Sequence, residues 1–140
     1  VASDHNVRVY GDQVVPIDMF QIPAVIVSQD IKSLVYSKLS SQADVLATAL
    51  DLIGVDLSYP ILGNSIFKDN KKEINLMLFD ETYAYRKGNK VAILIPNMDI
   101  KTYLYENKKL IEVEEDLTLE QEALALIYIL DDMYKNRSFK

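Results

Sequence analysis

The sequence predicts an α/β chain built from two unlike parts, and three observations point to it. A continuous apolar run, Ile22–Val27, precedes a helical stripe over Ser41–Ile53. Short runs rich in Tyr, Ile and Val then crowd together between residues 74 and 113. An apolar helical pattern closes the chain from about Leu119 to Lys135. The character changes near residue 69, so 1–69 is read as an incomplete α/β portion and 70–140 as a small antiparallel sheet with a terminal helix.

Taken in order, Val1 and Ala2 read as the end of a strand, and residues 3–21 as an irregular stretch holding Gly11 and Pro16. Ile22–Val27 reads as a strand of a mainly parallel sheet, buried on both faces, with Pro23 at its start where no ladder donor is needed. Ser41 is the expected N-cap of the first helix, with Asp44 favourable to the helix dipole. Val45, Ala49, Leu52 and Ile53 form its apolar stripe, widened by Leu46 and Leu50. Gly54 stands where a left-handed residue closes a helix. Pro60, Gly63 and Asn64 mark a loop.

In the second part, Ile74–Phe79, Thr82–Arg86, Val91–Ile95, Lys101–Tyr105 and Leu110–Val113 read as strands, about four of them forming an antiparallel meander. Gly88-Asn89 is a glycine-first hairpin signal. Pro96–Asp99 and Glu106–Lys108 are further turns. Thr118 and Gln121 have capping-box spacing. The run Ala123–Leu130 is apolar all round, which predicts burial on more than one side. At eight residues it is far short of the roughly 20 needed to cross a bilayer.

Composition narrows the function. The 140 residues are 49% hydrophobic and 26% charged, which supports a folded core and excludes a disordered or low-complexity chain. Cysteine is absent, which excludes disulfides, thiolate metal sites and a cysteine nucleophile. A net charge of -6 argues against binding a nucleic-acid backbone. No signal peptide is visible, and a chain starting at Val1 rather than methionine reads as a piece of something longer.

Chemistry-bearing residues are few. The single histidine, His5, follows Asp4. Adjacent strand residues point to opposite faces, so both reach one ion only if the strand ends between them. The pair is either a surface Asp-His near a terminus or half of a divalent-metal site, one carboxylate oxygen plus one imidazole nitrogen. Two ligands alone do not hold a catalytic metal. Asp51 and Asp56 read as solvated helix-end residues. Glu112, Glu114, Glu115 and Asp116 read as helix-dipole and solubility residues, since no EF-hand spacing is present. Tyr83, Tyr85, Tyr103 and Tyr105 alternate as on a packed or half-exposed sheet face. There is no phosphate-binding glycine loop and no nucleophile elbow.

The order of segments carries more. Ser3-Asp4-His5-Asn6 is followed by Ile22-Pro23-Ala24-Val25-Ile26. Then come Ser41-Gln42-Ala43-Asp44, leading to Thr48 through Gly54, and Leu62-Gly63-Asn64-Ser65-Ile66-Phe67. This resembles the C-terminal part of the sulfatase and alkaline-phosphatase-like superfamily over essentially the whole chain. Within it, the pattern is most similar to the lipoteichoic acid synthase and phosphoglycerol transferase branch. The resemblance implies the C-terminal portion of an alkaline-phosphatase-like α/β sandwich. It implies that Asp4 and His5 help coordinate a catalytic divalent metal (Mn, Zn, Mg or Ca) that these residues do not hold tightly alone. Ala47 departs from a usual proline and Asn64 from a common arginine.

No catalytic nucleophile is expected in this chain; the resemblance places it, with the remaining acidic ligands, upstream. The chain is therefore expected to be inactive alone, as part of a hydrolase or a phosphoglycerol or phosphoethanolamine transferase. Its substrates would be lipid-linked molecules or sulfate or phosphate esters of the cell envelope. Arg8 reads either as an exposed structural arginine or as a residue approaching an anionic substrate group. The expected partners are the upstream part of the same polypeptide and, for the isolated chain, a second copy pairing through Ile22–Val27 or the last helix. Such a parent is expected to be membrane-anchored, with this portion periplasmic or extracellular and itself soluble. The alternative is a non-catalytic interaction or assembly module.

Overall fold

A computed structural model describes the chain except for residues 5, 7–11, 30, 56–61, 70 and 139–140. The described elements are a 3-10 turn at Ile17–Phe20, helix α1 at Gln42–Leu52, five strands and helix α2 at Leu117–Lys135. The strands are β1 (Ile74–Phe79), β2 (Thr82–Lys87), β3 (Lys90–Leu94), β4 (Lys101–Glu106) and β5 (Lys109–Glu112). They pair in sequence order, each antiparallel to the next, so the meander has five strands.

Short turns set the register. Gly88 takes a left-handed φ of +59° between β2 and β3, and Lys87 pairs with Lys90 across the two-residue loop. Asn107 and Lys108 are both left-handed between β4 and β5, as a primed type I hairpin turn requires. With register fixed, alternation sorts the side chains. Leu76, Tyr85, Ala92 and Thr102 share one face, and Val91, Tyr103 and Arg86 share the other.

Both faces are covered. On one, Tyr85 and Ala92 pack with Leu119, Ala123 and Leu126 of α2. On the other, Val91, Ile93 and Tyr103 pack with Val15, Ile17 and Phe20. The described later part of the stretch read as irregular, residues 12–21, thus forms a lid on the sheet. Gln13 fastens it, donating to the Lys108 carbonyl at 3.0 Å and accepting from the Leu110 amide at 3.2 Å. The alternating tyrosines divide accordingly, Tyr85 under α2 and Tyr103 and Tyr105 under the lid.

Three expectations need correction. Ile22–Val27 forms no parallel strand. A single antiparallel bridge joins Ala24 to Ala2, and Val25 and Val27 are 57% and 91% exposed. An apolar run becomes a buried strand only when neighbours flank it, and Val1–Ser3 flanks it on one side only. The α2 N-cap is Asp116, not Thr118. Either residue type can cap, but Asp116 is also held by Lys90 at 2.6 Å and donates its amide to Thr102 Oγ1 at 3.1 Å. Ala123–Leu130 is buried on one side only: Ala123 faces the sheet, while Leu124, Tyr128 and Ile129 are exposed. One small sheet covers one face of a helix.

Candidate functional site

The chain's first residues form the platform for the predicted metal step. Val1–Ser3 runs antiparallel to Pro23–Val25, with Ser3 N–H donating to Pro23 O at 3.1 Å and Val25 N–H to Val1 O at 2.7 Å. Asp4 follows at the end of this pairing and is exposed. The carboxamide of Gln42, the first residue of α1, donates to the carbonyls of Ser3 at 3.3 Å and Asp4 at 3.4 Å. The carboxamide of Asn6 donates to the carbonyls of Gln21 at 2.8 Å and Asp18 at 3.4 Å. His5 and Arg8 lie outside the described residues, so of the predicted site only Asp4 is placed. Among the described residues, no three His, Cys, Asp or Glu side chains converge to hold a metal.

The donor chemistry of Asp4 and His5 suits a divalent ion, and their number suits half a site. The rest of the recognisable pattern is scaffold. Ser41 and Asp44 form a reciprocal capping box, with Asp44 Oδ2 accepting from Ser41 N–H at 2.8 Å. Asp44 Oδ1 accepts from Asn64 N–H at 2.7 Å, which ties the following loop over the helix. Lys71 Nζ lies 3.3 Å from Asp44 Oδ2, and both side chains are almost fully buried. The ammonium also donates to Leu39 O at 2.7 Å. A charge pair taken out of water in this way is tolerable because nearly every lone pair and proton is used.

One turn on, buried Thr48 bonds to Asp44 O and accepts from Ile66 N–H at 3.1 Å. Asp51 accepts from the Ser65 hydroxyl at 2.6 Å, with Lys68 at 3.3 Å. The Ser65 bond, aided by Lys68, holds the Asp51 carboxyl below the usual range. Asp51 is therefore a cross-link rather than the solvated residue expected; Asp56 lies outside the described residues. Gly54, at φ +71°, closes α1 with its N–H on Asp51 O and Val55 N–H on Leu50 O, a Schellman cap. Gly63 passes so close to Ala43 that any Cβ would overlap the Ala43 carbonyl.

A second polar group sits under the lid. Tyr105 Oη donates to Asp18 Oδ1 at 2.5 Å, and the Arg86 guanidinium lies 4.6 Å from the Tyr105 ring centre. Burial lowers the Arg86 pKa, and burial with the Asp18 bond pushes Tyr105 up to about 12. Arg86 and Tyr105, with Asp4, Asn6, Ile26 and Tyr36, line one broad cleft of about 1920 Å³. Ligand pockets run roughly 300–1,000 Å³, so this concavity has the scale of a packing surface.

No protein-family profile matches the chain. A solved structure does: a protein in the alkaline phosphatase superfamily from Vibrio parahaemolyticus, with a TM-score of 0.89 at 28% identity over 99% of this chain. The fold is that of part of an alkaline-phosphatase-superfamily protein. The chain spans only 35% of that protein's length. The likeness supports the superfamily and a related hydrolase or transferase family, without selecting a branch. Members of the superfamily are generally divalent-metal dependent. Among the described residues no helix is long and apolar enough to cross a membrane.

Proposed function

We propose that this chain is the C-terminal portion of a metal-dependent enzyme of the alkaline phosphatase superfamily, acting on phosphate or sulfate esters of the cell envelope. The observation that carries the reading is the match over 99% of the chain to 35% of a superfamily protein. The sequence pattern favours the lipoteichoic acid synthase and phosphoglycerol transferase branch, with a membrane-anchored parent exposing this portion outside the cytoplasm.

In this reading the Asp4 carboxylate and His5 imidazole supply two metal ligands, and upstream residues of the same polypeptide supply the others and the nucleophile. A bound divalent ion activates a nucleophile and neutralises charge on a phosphoryl or sulfuryl group. The chain's own part is to hold Asp4 at the end of the Val1–Ser3 pairing and to offer the broad cleft and the exposed Val25 and Val27 to the upstream core. In the same reading Arg8, which lies outside the described residues, is proposed to approach an anionic group of the substrate. The exposed apolar side chains of Ile22–Val27 also offer the isolated chain a surface for self-association.

The test compares the longer polypeptide with the 140-residue chain. The longer protein is expected to turn over a phosphate or sulfate ester in a metal-dependent way, and Asp4→Ala or His5→Ala to lose both metal and activity sharply. The chain alone is expected to be inactive. Unchanged metal content and turnover in both variants would overturn the assignment, as would turnover by the chain alone that either variant abolishes.

A further inference from the structure

Helix α1 turns its polar face inward and an apolar face outward. A surface helix ordinarily does the reverse, burying its apolar stripe and leaving the polar face to water. In α1 the packed row is Asp44, Thr48 and Asp51, which recur at helical spacing. Asp44 Oδ1 accepts from Asn64 N–H at 2.7 Å, Thr48 Oγ1 from Ile66 N–H at 3.1 Å and Asp51 Oδ2 from the Ser65 hydroxyl at 2.6 Å. Half a turn round the helix lies a second row, Gln42, Leu46, Ala49 and Ile53. Leu46 is 53% exposed and Ile53 70%. At 1.5 Å per residue the row runs for about 16 Å. At its start the Gln42 carboxamide donates to the carbonyls of Ser3 and Asp4 at 3.3 and 3.4 Å, so the row begins beside the Asp4 backbone.

We propose that this outward face of α1 is the seat of the upstream part of the same polypeptide, which packs on Leu46, Ala49 and Ile53. The inference rests on reading the chain as one portion of a longer enzyme, and it names the surface where the remainder joins. Three observations support that occupant. The chain matches only 35% of a longer protein, so in that reading most of the polypeptide lies outside these residues. The orientation of α1 is fixed from its polar side by the capping box, the buried Asp44–Lys71 pair and the bonds to residues 64–66. The apolar row is thus held outward, where covering it removes apolar surface from water. The row also begins beside Asp4, so a segment seated on it arrives where further metal ligands are needed. Among the described residues, no three ligating side chains converge there or elsewhere.

The test uses the longer polypeptide with one cysteine introduced at a time, Leu46→Cys or Ile53→Cys. Each thiol is labelled with iodoacetamide in the native and the urea-unfolded protein and read by mass spectrometry of its own peptide, which keeps any upstream cysteine out of the measurement. The expected result is native labelling slower than unfolded labelling by about tenfold or more at both positions, at every protein concentration. Native thiols that react as fast as unfolded ones overturn the inference. Protection that fades on dilution assigns the face to a second copy and overturns it too. Leu46→Gln, which keeps helix propensity and suits a water-exposed site, gives an independent reading. It is expected to lower the melting temperature of the longer polypeptide by several degrees, and an unchanged melting temperature counts against the covered face. If Asp4→Ala loses metal while both thiols react rapidly, only this inference falls. If both thiols are protected while Asp4→Ala keeps its metal, the docking face stands and the metal reading falls.

Discussion

The two parts of the chain are held together by different physics. The sheet with α2 is stabilised by burial on two faces: Val91, Ala92 and Ile93 are consecutive and all at most 2% exposed, because β3 lies between the lid and α2. The region around α1 buries little apolar surface. Its fully buried side chains are polar, Asp44 and Thr48, and polar cross-links bind Asn64, Ser65, Ile66 and Lys71 to one helix. One region rests mainly on apolar area. The other depends more on directional bonds.

Substitutions break this contrast. The largest effect is expected at Asp44→Ala, which strands the buried Lys71 ammonium and removes the Asp44 half of the capping box, at a cost of about 3–5 kcal/mol. Loss of the α1 helical signal at lower denaturant than the loss of sheet signal would mark the two regions as separable, and a single shared transition would mark them as one unit. Next is Ile93→Ala, 2% exposed in the central strand, expected to cost about 2–5 kcal/mol in urea unfolding. Val27→Ala, 91% exposed, is expected to change stability by no more than about 0.5 kcal/mol in the isolated chain. Equal effects at the two positions would refute the burial assignment. Gly63→Ala drives a methyl into the Ala43 carbonyl and to 2.6 Å from Asp44 N, and is expected to cost about 1–3 kcal/mol, visible as a lower melting temperature.

The buried tyrosines of the sheet add an alkaline pH dependence. Tyr85 and Tyr105 are both pushed up from 10.0 to about 12, chiefly by burial, with Glu122 and Asp18 adding. A raised folded-state pKa means the folded chain keeps the proton longer than the unfolded chain. Stability is therefore full below pH 10 and lost progressively as pH rises towards 12. Tyr85→Phe is expected to blunt that alkaline loss, as read by denaturant midpoints at pH 8 and near pH 11. An equal alkaline loss in the variant would show that Tyr85 does not carry it.

What could be read from the sequence follows from the range of each interaction. The five strands, the Gly88-Asn89 turn, the Ser41 cap and the Gly54 close depend on residues a few positions apart, and there pattern and structure agree. The α2 start was misread because Thr118 and Asp116 are equivalent locally, and only Lys90 and Thr102, brought near by the sheet, separate them. Ile22–Val27 is largely exposed in this chain, because a strand buried on both faces needs neighbours and only Val1–Ser3 pairs with it here.

The lid had no periodicity to betray it, since Val15 and Ile17 reach the core from irregular backbone. The Asp44–Lys71 pair was invisible because nothing in either residue's surroundings names the other. At the candidate site, the sequence alone determined which side chains have metal chemistry, Asp4 and His5, because that depends on functional groups. Only the tertiary structure decided that the Gln42 carboxamide reaches the carbonyls of Ser3 and Asp4: that is a matter of distances in space, which no local pattern encodes.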